Sequence, residues 1–360
     1  MLWLFYLVPL RIFESMKEKI SFKNDYSEGA HSRILELLAQ TNLQQEPGYG
    51  YDSLSEQAKA AILRFLNNQE TPIYFVSGGT QANLLVISHL LKPYESIIAT
   101  ESGHIHVHET GAIEATGHKI NTVPHSNGKL TPDNILKVIS LHTDEHMVKP
   151  AMVYISQTTE LGSIYSKEEL QDLSDFCKEH NLKLFIDGAR MAAALSSNKH
   201  QLTLNDIAQY ADVFYIGVTK NAGLLGEAIV FPNAQLAEGF SYSLKQKGAL
   251  MAKGRILGAQ FLALFEDDLY FELGKHANQQ AMRIATALED AGFRFSLQPE
   301  SNQLFPILPH QVIERLLEDF EFYVWEKLDA DESIVRIVTS WATNPTDVDR
   351  FIAKIAGQNR

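Results

Sequence analysis

Three short stretches hold residue types able to do chemistry, and each follows an apolar run. Ser77-Gly78-Gly79-Thr80 comes after residues 73–76 and opens an apolar helical pattern. Paired glycines let a backbone approach a ligand closely, and the free amides and positive dipole end of a helix N-terminus suit a phosphate. The plainer reading of Gly-Gly before a helix is a tight turn. Asp187-Gly188-Ala189-Arg190 comes after residues 182–186. An acid at the end of a buried strand is costly to desolvate unless a cation meets it, so the plain reading is an ion pair with Arg190. The functional reading is a carboxylate facing a protonated ring nitrogen. Gly217-Val218-Thr219-Lys220-Asn221-Ala222-Gly223 comes after residues 213–216. Its lysine is either a solvated surface residue or a desolvated amine able to form a Schiff base. Singly these signals are weak. Together they are an anion clamp, a partner for a pyridine nitrogen and an amine for an aldehyde, the parts that pyridoxal phosphate requires of a protein.

The elements that must position these residues are legible around them. The runs 73–76, 96–99, 152–155, 182–186 and 213–216 are short, rich in β-branched and aromatic residues, and followed by Gly, Ser, Thr or Asp. That is how strands buried on both faces of a mostly parallel sheet read. Helical patterns lie between them at 80–91, 167–180 and 204–210, and Ser166 with Glu169 forms a capping box ahead of the second. Alternation of this kind predicts an α/β, doubly wound, mostly parallel sheet with ligands at the carboxyl ends of its strands. From about residue 240 the pattern changes to long helical stretches at 249–267 and 270–291, then strand-like runs and a helix at 311–318. The expected organisation is an N-terminal arm plus large domain over 16–240 and a smaller C-terminal α+β domain over 241–360.

Composition narrows the class. The 360 residues are 45% hydrophobic and 21% charged, too apolar for a disordered chain. Lys and Arg number 31 against 44 Asp and Glu, a formal charge of −13 with no basic run, which argues against nucleic acid as a partner. The single cysteine, Cys177, excludes an intramolecular disulfide and a cysteine zinc cluster. With no secretory signal it suggests a cytoplasmic enzyme. No Gly-x-Gly-x-x-Gly follows an early strand, which disfavours a dinucleotide-binding dehydrogenase. The opening MLWLFYLVPL is too short to span a bilayer and has no basic region before it. Translation is expected to start at Met16, with 1–15 a mis-called extension; the rival reading is an interfacial anchor.

The chain resembles the threonine aldolase/β-eliminating lyase family of pyridoxal-phosphate enzymes (aspartate aminotransferase fold, fold type I). Tyr49-Gly50, Ser77-Gly78-Gly79-Thr80, Asp187-Gly188-Ala189-Arg190 and Thr219-Lys220 carry the likeness, which runs from about Phe22 to the C-terminus. The resemblance implies that Lys220 joins the cofactor aldehyde, that Asp187 holds the ring nitrogen protonated, and that Arg190 lies beside the ring hydroxyl. It assigns Gly78, Gly79, Thr80 and Thr219 to the phosphate and His104 to the cofactor face. Arg336 is the arginine expected to clamp the substrate α-carboxylate, with Tyr49, Asn24 and Thr159 also at the substrate. Family members are oligomers with shared sites, so a homodimer or homotetramer is implied, with Tyr49 and Lys253 serving a neighbour.

Two local features bear on the reaction. His104, His106 and His108 alternate and would share one side of a strand, where they could hold a metal. No fourth ligand stands out, and in strict alternation Glu109 points away, so no metal is expected. In better-known aldolases the loop after the strand at 152–155 carries a histidine near the substrate hydroxyl; here Thr159 stands in its place. The expected reaction is retro-aldol cleavage of the Cα–Cβ bond of a β-hydroxy-α-amino acid, threonine or allo-threonine, to glycine and acetaldehyde. Glu160 is a candidate base acting through a water. The alternatives are β-elimination or racemisation of another amino acid, and a non-catalytic scaffold on the same fold.

Overall fold

Strands covered on both faces must be apolar at every position, and the central runs satisfy that requirement. The protein is described by a computed structural model covering residues 19–357, so the expectation for 1–15 falls outside the described residues. After a short strand β1 (Ile20–Ser21) and helices α1 (Ser32–Thr41) and α2 (Ser53–Leu63) comes the large sheet. Its strands are β2 (Ile73–Val76), β3 (Glu95–Thr100), β4 (Ile120–Val123), β5 (Lys149–Ser156), β6 (Lys183–Asp187), β7 (Val213–Gly217) and β8 (Glu227–Val230). They lie in the order β2-β8-β7-β6-β5-β3-β4. Only β8 runs against its neighbours, pairing antiparallel with β2 and β7, while the other pairings are parallel. The mostly parallel, doubly wound sheet expected from the sequence is therefore present.

Side chains alternate between two cores. Val153, Ile155, Leu184, Ile186, Phe214 and Ile216 pack on one face with α2 and the helix Arg255–Phe265. Met152, Tyr154, Phe185, Val213 and Tyr215 pack on the other with helix α3 (Gly79–Leu90). Strand β4 and the reversed β8 were not anticipated. β4 mixes Asn121 and Thr122 with its apolar residues, and β8 begins with a glutamate.

The second domain holds β10 (Gln303–Leu304), β14 (Glu332–Val338), β11 (Pro306–Pro309) and β9 (Arg294–Phe295) in that order, with β13 (Tyr323–Lys327) also paired to β14. Packing does not change near residue 240, since Phe240 and Phe261 belong to the large-domain cores. It changes along the 22-residue helix Leu269–Asp290, whose Leu269 and Tyr270 join the large domain and whose Ile284 and Leu288 join the small one. The N-terminal arm also differs from expectation: Phe22 packs in the small-domain core, and β1 pairs in parallel with β12 (Phe320–Glu321).

The sheet closes tightly where β6 ends. A Cβ on Gly188 would sit 1.8 Å from the Tyr215 carbonyl oxygen and 2.7 Å from Met191 Cε, so backbone as well as side chain would have to move. Gly188→Ala is expected to destabilise by at least the ~3 kcal/mol at the top of the usual overpacking range. Gly29→Ala, whose added methyl would meet nothing within 4 Å, serves as control. A urea midpoint for Gly188→Ala as high as the control's would refute the steric account.

Candidate active site

The carboxyl ends of β2, β5, β6 and β7 face one cavity of about 230 Å³. Ser77, Gly78, Gly79 and Thr80 line it where α3 begins, and Asp187, Arg190, Thr219, Lys220, His104 and Glu160 complete much of its wall. A second hollow, lined by Arg336, Tyr26, His108, Gln303 and Trp325, shares His104, Glu160, Arg190 and Lys220 with the first. The two form one site between the domains.

The Asp187–Arg190 pairing that a local reading suggests does not form. Arg190 instead grips Asp25 in the N-terminal arm, with Nε 2.7 Å from Oδ2 and Nη2 2.9 Å from Oδ1. Asn302 Nδ2 donates to the same carboxylate at 2.9 Å. Burial alone would raise the Asp25 carboxyl, but the Arg190 charge, helped by Lys220, holds it below its ordinary value. Asp187 is thereby left free for another partner. It is oriented by the Tyr154 hydroxyl at 2.5 Å and the Ala189 amide at 2.9 Å, and Asn83 Nδ2 lies 3.4 Å away.

Asn83 continues outward to His104. Its Nδ2 donates to Glu109 Oε1 at 2.7 Å, and His104 Nδ1 lies 2.8 Å from the same oxygen. With the ring hydrogen on Nδ1 this contact is a hydrogen bond to Glu109, and Nε2 is left available. The strand alternation assumed for the three histidines is replaced by a helical turn, α4 (His104–Val107). Glu109 therefore points back to His104 rather than away from it. Among the described residues no group of three metal-ligating side chains comes together.

Burial is the largest influence on the Lys220 amine and lowers its pKa, and the nearby Arg190 charge lowers it further. A lysine brought toward neutrality beside carboxylates is a nucleophilic amine rather than a surface charge. Arg336 donates from Nη2 to Gln303 Oε1 at 2.7 Å and lies 5.5 Å from the Trp325 ring, while its buried Nε has no partner. Burial and then Arg190 push this guanidinium down to about 10. A cation so poorly compensated is a ready receptor for a carboxylate.

Three expected substrate residues lie elsewhere in this chain. Thr159 is fully buried behind the loop, its hydroxyl 2.7 Å from Ser163 Oγ and its side chain packed against Gly128. Its neighbour Glu160 faces the cavity instead, accepting from Ser156 Oγ at 2.6 Å and from the His104 amide at 2.9 Å. Burial raises the Glu160 carboxyl above its ordinary range. Asn24 turns into its own loop and accepts from the Tyr26 amide and the Ser27 hydroxyl. Tyr49 lies in a separate surface hollow with Tyr51 and Met251, under the Lys245 ammonium, and neither it nor the exposed Lys253 lines this chain's cavity.

Sequence reasoning passed over Asp25, Asn83, Tyr154 and Glu227, and set Glu109 aside as pointing away. Of these only Glu227 carried a local signal, a charge between Gly226 and the apolar run Ala228-Ile229-Val230. The others become visible only when distant strand ends meet.

A lysine, a strand-end carboxylate and a helix N-terminus, gathered at the carboxyl edge of a doubly wound sheet beside a small C-terminal domain, define an enzyme of the aspartate aminotransferase architecture. An aspartate aminotransferase from Thermus thermophilus shares the fold at a TM-score of 0.69 and 13% identity, covering 95% of this chain and 92% of its own. The chain belongs to the β-eliminating lyase family, whose sequence model matches residues 27–308. A low specificity L-threonine aldolase from a Pseudomonas species is 34% identical, covering 93% of this chain and 96% of its own. The structure of a Leishmania major threonine aldolase superposes with a TM-score of 0.92 at 48% identity, covering 94% of this chain and 99% of that one.

Because the Asp25 carboxyl lies below its ordinary value of 3.8, its contribution to stability is complete above that value and disappears as pH falls through the lower folded-state value. Removing it strands a buried guanidinium, so Asp25→Ala is expected to cost about 3–5 kcal/mol at neutral pH. The gap from the parent protein should close below about pH 4. A gap that persists unchanged in acid would show that Asp25 acts by packing rather than by charge.

Proposed function

We propose that the protein is a pyridoxal-phosphate-dependent aldehyde-lyase that cleaves the Cα–Cβ bond of a β-hydroxy-α-amino acid, threonine or allo-threonine, giving glycine and acetaldehyde. The observation that carries this reading is the convergence of Lys220, Asp187 and the opening turn of α3 on one cavity with the under-compensated Arg336 across it. The residues fit the cofactor. Gly78, Gly79, Thr80 and Thr219 would hold its phosphate, Asp187 its ring nitrogen and Lys220 its aldehyde carbon, with His104 over its face. When bound, it supplies the sink for the electron pair released at Cα.

The protein's own residues do the rest. Arg336 binds the α-carboxylate and so fixes which bond at Cα is presented for cleavage. Glu160 lies where the two hollows join and is held by Ser156 and the His104 amide, so its carboxylate can take the β-hydroxyl proton directly or through one water. Burial raises this carboxyl above its ordinary value, which makes its ionised form a stronger proton acceptor. The Glu109 contact fixes the His104 ring against the same wall.

We also propose a homo-oligomer. The exposed Tyr49 and Tyr51 offer an aromatic surface suited to a second copy, and light scattering that reports a monomer would refute it. We further propose an intracellular, cytoplasmic setting, for which the single cysteine and so the want of any intramolecular disulfide is the support; that cysteine, Cys177, is buried with its thiol pushed up to about 12, which leaves it unreactive. Among the described residues no helix is long and apolar enough to cross a membrane.

Threonine supplied to the purified enzyme should yield glycine and acetaldehyde; ammonia and a keto acid would point to β-elimination instead. Lys220→Ala should lose turnover together with the borohydride-sensitive visible absorbance, and full activity would end the covalent role of the lysine. Activity should fall as pH drops through the raised Glu160 value, because the base must be unprotonated. Glu160→Gln should lower kcat by about 10²–10⁴ and abolish that acid limb while leaving the absorbance intact. An unchanged acid limb would assign the base to another group.

A further inference from the structure

Glu227 opens β8 at the floor of the cavity, 3% exposed, among the residues that would receive a phosphate. A second acid beside an anion site is repulsive unless it carries a proton. Three features of its surroundings bear on which form is present. Thr219 Oγ1 lies 3.2 Å from Glu227 Oε1 and accepts from the Gly226 amide at 3.0 Å. Glu227 Oε2 is buried with no partner, which is far more costly for a carboxylate oxygen than for the carbonyl oxygen of a neutral acid. The carboxyl is also confined, since a Cβ on Gly217 would come 2.7 Å from Oε2.

The hydroxyl of Thr219 has one proton to give. Opposite an ionised Glu227 that proton points at the carboxylate, and the oxygen turns lone pairs toward the cavity. Opposite a protonated Glu227 the acid donates to Thr219 Oγ1, and the hydroxyl proton is free to face an anion. We propose that Glu227 is a neutral carboxylic acid built into the anion cradle, a donor whose proton turns the Thr219 hydroxyl toward a bound phosphate. This rests on the cofactor reading above for the identity of the phosphate, though not for the presence of an anion site.

The surrounding charges agree. Burial raises the Glu227 carboxyl well above its ordinary range; Lys220 acts against this and Asp187 reinforces it. Tyr215 of β7 and Tyr270 of the helix Leu269–Asp290 also feel Glu227, and burial keeps both phenols neutral. The opening turn of α3 presents no titratable side chain.

The test resolves the purified enzyme from its cofactor and titrates it with pyridoxal 5′-phosphate, pyridoxal and inorganic phosphate, read by fluorescence and phosphorus NMR. The ratio of the first two affinities isolates the phosphate from Lys220 chemistry. Glu227→Gln, which keeps a donor, should hold that ratio within about twofold of the parent, and Glu227→Ala should lower it about tenfold, one charge-assisted hydrogen bond. Thr219→Val should lower it similarly, which keeps the test decisive should Glu227→Ala not fold. Tighter phosphate binding in the glutamine variant would mean that a carboxylate charge had been removed and would overturn the proposal, as would equal ratios in all the variants. If inorganic phosphate shows the expected pattern while no protein takes up pyridoxal phosphate, the Glu227 assignment stands and the cofactor reading falls.

Discussion

Parallel strands must all finish on the same side of a sheet, and that constraint governs the rest of the molecule. β5, β6 and β7 run parallel, with Ser156 paired to Asp187 and β7 ending at Gly217 just beyond them, so their carboxyl ends arrive at one edge. A single loop step beyond that edge is enough to bring Glu160, Arg190 and Lys220 to one cavity. Groups 33 residues apart in sequence become neighbours without long connections, because the backbone ladder does the positioning. The tight closure at Gly188 belongs to the same constraint, since adjacent strand ends leave no room for a methyl group between them.

Concentrating charge at that edge creates an electrostatic problem that the structure solves by pairing and by protonation. Arg190 pairs with Asp25 rather than with Asp187, three residues before it in sequence, so the carboxyl group at the strand end faces the cavity outside that ion pair. Glu109 is occupied by Asn83 and His104. Glu160 and Glu227 form no ion pair among the described residues, and burial raises both carboxyls above their ordinary range, Glu227 against the opposing charge of Lys220. On the other side of the cavity Arg336 has a donor to spare. The site thus sets the paired Asp25 and Arg190 apart from Lys220, Glu160 and Arg336, which line the hollows without an ion pair among the described residues.

Much of this could be read from the sequence, and the boundary is physical. Strands at 73–76, 152–155 and 213–216 were legible because burial on both faces leaves uninterrupted apolar runs. The motifs carrying Gly78, Asp187 and Lys220 were legible because each follows such a run. What stayed hidden depends on long-range pairing. No local pattern links Asp25 to Arg190, and the alternating histidines suggested a strand although their backbone coils into α4. At Thr159 and Glu160 the sequence reading set Thr159 at the substrate, whereas Glu160 is the one that lines the cavity. A loop can point either neighbour inward, and only packing against Gly128 decides which.

The Asp25 clamp also sets a timetable for the chain's assembly. Asp25 leaves the ribosome early, but Arg190 follows 165 residues later and Asn302 follows 277 residues later. Its neighbouring strand β1 waits longer still for Phe320. At about 5–20 residues per second the arm spends tens of seconds without its partners. Contacts of such wide separation carry a high loop-closure cost and form late. The large sheet can therefore gather its strand ends during synthesis, but the Asp25–Arg190 pair receives Asn302, the third member of the clamp, only when most of the polypeptide has emerged. A nascent or truncated chain would hold a folded sheet and an unfinished site.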